Sequence, residues 1–83
     1  MKDIEYFNGN GVRLSLSNLC FRGSNVVDIM DVVEDAKTAD DLVTGINALD
    51  LLNTFSLDRE TENYIRLTCA DGFGNKKYLK VMK

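Results

Sequence analysis

The chain has 83 residues, of which 45% are hydrophobic and 28% are charged, with no histidine and a net charge of −3. This length allows a single globular domain over residues 1–83, and the apolar fraction excludes a disordered chain. No run of about 18 apolar residues occurs, so no membrane-spanning helix is predicted. The first residues lack the apolar stretch of a secretory signal, and we therefore expect a cytoplasmic protein.

Charge is sorted by position along the chain. Residues 24–62 contain ten acidic side chains and two basic ones, whereas residues 63–83 contain five basic side chains and one acidic. Residues 1–23 hold three basic and two acidic side chains, among them Lys2 and Arg22. Such separation predicts an acidic face and a basic edge, which influence the partners that a small protein meets and the rate of encounter.

The first predicted element is a β-hairpin. Residues 4–7 and 12–17 flank two successive Asn-Gly pairs, and these residue types tolerate the positive φ angles of tight turns. In the second strand Val12, Leu14 and Leu16 alternate with polar residues, which predicts one buried and one exposed face. Residues 18–23 are predicted to continue or to end that strand.

Two helices are predicted next. The apolar residues in 26–37 recur at helical spacing, with Ser24 or Asn25 as the cap, although their many β-branched side chains leave a strand as the alternative. Thr38 starts the second helix, with Asp41 three residues later in a near capping box. Its apolar stripe extends to residue 52 or 53, and Gly45 within it is compatible with close packing.

A second hairpin completes the predicted fold. Residues 56–63 are predicted to be a charged connection, and residues 64–70 and 77–82 alternate apolar and polar side chains around a turn at 71–75. The order ββααββ predicts an α+β fold: two antiparallel hairpins in one sheet, covered on one face by two amphipathic helices. Cys20 and Cys69 lie in apolar-alternating runs, which favours two reduced core thiols over a disulfide between the hairpins.

Catalysis is not predicted. The lack of histidine removes the commonest general base and zinc ligand, and the two cysteines form no Cys-x-x-Cys pair. The chain also has no phosphate-binding loop, dinucleotide fingerprint or serine nucleophile motif. We therefore predict neither an enzyme nor a bound cofactor or metal.

The acidic helices are the leading candidate for a binding surface. They are predicted to contact a partner protein with a basic surface, and the chain is interpreted as a small adaptor or inhibitor, such as a phage-type accessory protein or a DNA mimic. A solvated face that only keeps the protein soluble is the competing interpretation. The predicted contact residues are Asp28, Asp31, Glu34, Asp35, Asp40 and Asp41.

Three other surfaces are considered. Phe73 stands between two glycines at a turn, where an exposed ring can anchor a partner. Nucleic-acid binding through the C-terminal hairpin is less favoured, because lysines also protect edge strands and the chain is acidic overall. A self-assembling subunit or homodimer would need an apolar outer face, for which Tyr64, Tyr78 and Met82 alternate suitably. The nucleic-acid candidates are Lys76, Lys77, Tyr78 and Lys80.

Overall fold

A computed structural model of the chain describes residues 3–21 and 23–83; Lys2 and Arg22, which contribute to the N-terminal basic charge, lie outside the described residues. Two α-helices pack on one face of an antiparallel sheet, as the sequence predicts. The strands are β1 (Ile4–Asn8), β2 (Arg13–Leu14), β3 (Ser56–Glu60), β4 (Tyr64–Ala70) and β5 (Lys76–Met82). The helices are α1 (Val26–Asp35) and α2 (Ala39–Asn47). The predicted α+β fold is confirmed.

The sheet has the order β2-β1-β5-β4-β3, so the last strand of the chain lies at its centre. Pairing of β1 with β5 joins the two predicted hairpins into one sheet. At the first turn, the Asn8 side chain accepts hydrogen bonds from the backbone N–H groups of Asn10 and Val12, and Gly11 has φ +80°. The Asn-Gly pairs therefore provide the turn for which these residues are suited.

One apolar core fills the space between the inner sheet face and the helices. Residues that alternate along β4 and β5, such as Leu67 and Leu79, are fully buried opposite Ile29 of α1 and Ile46 of α2 in the same cluster. Cys69 is buried and Cys20 is half-buried, and both are free thiols. Burial raises the pKa of the Cys69 thiol, since the charged thiolate would lose hydration there.

Both helices begin with side-chain caps. In α1, Asn25 and Asp28 form a capping box, in which each side chain accepts a hydrogen bond from the other residue's backbone N–H. In α2, the Thr38 hydroxyl accepts from Asp41 N–H, while the Asp41 carboxylate accepts from Lys37 N–H. A helix therefore forms despite the β-branched residues, because tertiary packing and capping outweigh propensity, and it spans Val26–Asp35 rather than the predicted 26–37.

The structure corrects the end of the second strand and the end of the second helix. The strand predicted over 12–17 contains only Arg13–Leu14, because Ser15 caps a 3-10 helix over Leu16–Leu19 by accepting from Ser17 N–H. The helix α2 ends at Asn47, so Leu52 lies outside it and is 55% exposed.

The charged connection predicted over 56–63 is wrong in its first part, since Ser56–Glu60 forms the edge strand β3. All five of its residues are exposed, so it lacks the alternation by which a strand is found in a sequence. Its backbone pairs with β4, with a bulge at Asp58. The element order is therefore ββααβββ, with one more strand than predicted.

Candidate binding surfaces

The acidic residues of the predicted partner site lie on the helical layer, on the opposite side of the sheet from its uncovered face. Five of them are exposed, and Asp28 is half-buried. Asp28 and Asp41 bind backbone N–H groups at the starts of their helices and have structural roles. Within the described part of the chain, Asp31, Asp35 and Asp40 form no ion pair. We call these six residues, Asp28, Asp31, Glu34, Asp35, Asp40 and Asp41, the acidic layer.

The C-terminal end of α1 carries charges of the unfavourable sign. Glu34 and Asp35 occupy the last turn, which contains no basic residue. A helix C-terminus bears a partial negative charge, so carboxylates there are destabilising, typically by about 0.3–1 kcal/mol each at an exposed site. Asp31 and Asp35 are also a like-charged pair four residues apart, which adds a few tenths of a kcal/mol. Helix stability alone therefore does not account for Asp31 and Asp35.

A groove of about 650 Å³ lies between the start of α2 and the edge strand β3. Its lining combines the apolar side chains of Val43, Phe55 and Leu57 with two carboxylates and one amine, those of Asp40, Glu60 and Lys37. Leu57 is 49% exposed although its strand is otherwise polar, so this groove provides apolar surface next to the acidic layer.

The four nucleic-acid candidates divide between the two faces of the sheet. Residues 76, 78 and 80 of β5 alternate with the buried Leu79 and Val81 and lie on the outer face. Lys77 pairs with the buried Cys69 and lies on the inner side. A single surface that uses all three lysines is therefore not formed, because a strand reverses its side chains at each step.

The outer face of the sheet, which no helix covers, contains aromatic rings in contact with each other and with cations. The rings of Phe7 and Tyr78 are stacked with centroids 5.5 Å apart and an interplanar angle of 24°. The Arg66 guanidinium lies 5.1 Å from the Tyr78 centroid, and Lys80 Nζ lies 4.4 Å from the Tyr64 centroid. We call this surface the open sheet face.

Strand register defines the residues of the open sheet face. Its strands contribute five basic side chains, Arg13, Arg59, Arg66, Lys76 and Lys80, and two acidic ones, Glu5 and Asp58. Asp58 binds Arg66 at 2.6 Å. The face also contains Tyr64, Tyr78 and Met82, the residues considered for an apolar self-assembly surface. Cations lie over both tyrosine rings, so this surface is mixed and basic rather than apolar. Phe7, Arg13 and Arg66 are not among the site residues predicted from the sequence, because only the strand pairing brings them onto one surface with Tyr78 and Lys80.

Phe73 lies at the tip of the turn between β4 and β5 and is 92% exposed. The turn is fixed by Asp71, whose carboxylate accepts hydrogen bonds from the backbone N–H groups of Phe73 and Asn75. These bonds lower the pKa of Asp71, because they favour its charged form. The ring is therefore presented to solvent on an ordered turn.

Residues 3–21 and 23–83 contain no group of three or more His, Cys, Asp or Glu side chains arranged to hold a metal ion. None of the helices in these ranges is long and apolar enough to cross a bilayer. No known protein family, curated protein or solved structure matches this chain.

Proposed function

We propose that this protein is a small protein-binding module, an adaptor or inhibitor, that contacts a basic surface of its partner through the acidic layer. The observation that carries the proposal is the end of α1, where Asp35 opposes the helix dipole, repels Asp31 one turn earlier and forms no ion pair within residues 3–21 and 23–83. Residues that break a local stability rule without structural compensation are expected at functional positions. A basic partner would supply the missing positive charge.

Charge separation supports the same proposal. The basic residues of the open sheet face lie on the other side of the molecule from the acidic layer and are unable to neutralise it. Clustered like charges steer a complementary protein and accelerate association, with an effect that falls as salt rises. The partner is therefore expected to associate faster at low ionic strength.

The groove beside α2 gives the proposed interface an apolar component. Interfaces combine an apolar centre with a polar rim, and Leu57 and Val43 provide such a centre next to Asp40. A partner segment that fits has a lysine or arginine close to a medium-sized apolar side chain. The compartment that we propose is the cytoplasm, where free thiols such as Cys20 and Cys69 remain reduced.

The test compares two variants with the same change in net charge. Asp31→Lys combined with Asp35→Lys reverses the acidic layer, while Asp50→Lys combined with Glu62→Lys reverses two exposed acids outside it. Each immobilised protein is incubated with nuclease-treated lysate, and bound proteins are quantified at low and moderate salt. We expect the natural protein and the control pair to retain one protein near stoichiometrically, and the Asp31/Asp35 pair to retain none.

Stability gives this experiment a second readout. Lysine at position 35 suits the helix C-terminus, so the Asp31/Asp35 variant should melt at the same or a higher temperature than the natural protein. Lost capture with retained stability supports a binding surface. Equal capture by the Asp31/Asp35 variant and the natural protein would show that the acidic layer does not bind the partner.

A further inference from the structure

The open sheet face differs in charge from the rest of the molecule. Its five basic and two acidic side chains lie on a protein whose net charge is −3, so the remaining surface is strongly acidic. Since the two sides of the sheet face in opposite directions, a ligand attracted to one is repelled by the other. The open sheet face therefore selects an anionic ligand, unlike the partner proposed for the acidic layer.

The aromatic rings of the open sheet face indicate a second property of its ligand. The stacked pair of Phe7 and Tyr78 lies over the centre of the sheet, because β1 and β5 are neighbours there. Tyr64 pairs with Met82, four residues further along β5 than Tyr78, which separates the two aromatic positions by about 13 Å along the strand. A ligand that uses both has flat groups spaced along a flexible anionic chain.

We propose that the open sheet face binds a short segment of single-stranded nucleic acid. One base stacks on the platform of Phe7 and Tyr78, another stacks on Tyr64, and the phosphates contact Lys76 and Lys80. Cationic side chains along the backbone combined with aromatic rings under the bases are the general means of holding single strands. This proposal rests on the face opposite the acidic layer and does not depend on the protein-binding proposal.

The observed cation–ring contacts fit such a ligand. Arg66 is held over the Tyr78 ring by its bond to Asp58, so this cation is already ordered before a ligand binds. Lys80 has no ion pair within the described ranges and rests on Tyr64, from which a stacking base would displace it towards a phosphate. Duplex nucleic acid offers no unstacked bases and should bind more weakly.

The test measures fluorescence anisotropy of labelled ten-nucleotide probes, oligo(dT) and oligo(rU), with a DNA duplex of the same length as competitor. We expect both single strands to bind at 50 mM salt and the duplex to compete poorly. Each phosphate contact contributes about −0.7 to the slope of log affinity against log salt for a single strand. The two contacts of Lys76 and Lys80 therefore give a slope of about −1.4, which is roughly a 7-fold loss of affinity between 50 and 200 mM salt. The two probes differ in the sugar and in the 5-methyl group of the base, so their comparison shows whether deoxythymidine or uridine is preferred.

Matched variants separate the contribution of ring stacking to oligonucleotide affinity from the contribution of charge. Tyr78→Leu should weaken binding about 5- to 150-fold, while Tyr78→Phe, which keeps the ring, should bind like the natural protein. Lys80→Gln should weaken binding and reduce the salt slope, whereas Lys77→Gln on the inner side of the same strand should leave both unchanged. Thermal melting shows whether each variant is folded. If Tyr78→Leu does not fold, the comparison of Lys80→Gln with Lys77→Gln tests the proposal.

Three results would each overturn the proposal. The first is no binding of either single strand by the natural protein at 50 mM salt. The second is equal competition by the duplex, and the third is an equal effect of Lys80→Gln and Lys77→Gln. Because the Asp31/Asp35 variant retains the open sheet face, its oligonucleotide binding shows independently whether the two sites are separate.

Discussion

Gly45 fixes how closely the two helices of the acidic layer approach each other. A Cβ atom at this position would lie 2.6 Å from Cγ1 of Val32 and 3.7 Å from both Cβ and Cγ2 of the same side chain. Carbon atoms in contact are normally about 3.5–4.0 Å apart, so an alanine would overlap one methyl group. Valine is stiff at χ1 in a helix, and rotation does not readily relieve the overlap.

Gly45→Ala therefore combines two opposing effects. Alanine is favoured over glycine inside a helix by about 1 kcal/mol. Forcing an extra methyl group into a packed contact costs about 1–3 kcal/mol. We expect a net destabilisation of about 1 kcal/mol, which lowers the melting temperature by about 4–8 °C in a domain of this size.

A double-mutant cycle tests this reasoning. In a Val32→Ala background the overlapping methyl group is gone, so Gly45→Ala should stabilise the protein by about 1 kcal/mol and show a coupling energy of about 2 kcal/mol. The free energies of unfolding are measured for all four proteins by urea denaturation monitored by circular dichroism. Stabilisation by Gly45→Ala in the natural background would refute the close approach of α1 and α2.

Three further predictions concern single side chains. Asn47→Ala removes two hydrogen bonds of 2.8 Å to the backbone of Phe55 and should lower the free energy of unfolding by about 2 kcal/mol in denaturant titrations. Burial raises the pKa of Tyr6 from 10.0 to about 12, so the contribution of Tyr6 to stability is constant below pH 10 and is lost as pH rises from 10 to about 12. Tyr6→Phe should reduce this alkaline loss in melts. The pKa of Asp71 is lowered from 3.8 by its bonds to backbone N–H groups, so its stabilisation is lost as pH falls below that value, and Asp71→Asn should melt with a weaker acid dependence.

Local patterns were sufficient to predict most of the fold. Alternation placed Ile65, Leu67 and Leu79 in the core, and Thr38 marked the start of α2. The edge strand β3 was missed because all of its residues are exposed, so only pairing with β4 identifies it. The short β2 was overestimated since Ser15 forms a local hydrogen bond that ends it.

The candidate surfaces were predictable to different degrees. The acidic layer follows from helical spacing within one stretch of chain, which makes its position visible in the sequence. The open sheet face combines Phe7 near one terminus with Tyr78 near the other. Only the pairing of β1 with β5 brings these rings together, and no local pattern encodes that pairing. Lys77 is predicted together with Lys76 and Lys80 because their charges were counted without regard to the face of the strand on which each side chain lies.

Zero-length carbodiimide cross-linking of the natural protein to its captured partner shows whether the acidic layer forms the interface. The reagent joins a carboxylate to a lysine amine at ion-pair distance, and mass spectrometry identifies both residues. We predict cross-links from Asp31, Asp35 or Asp40 to partner lysines. Cross-links confined to carboxylates outside the acidic layer, such as Asp50 or Glu62, would contradict it.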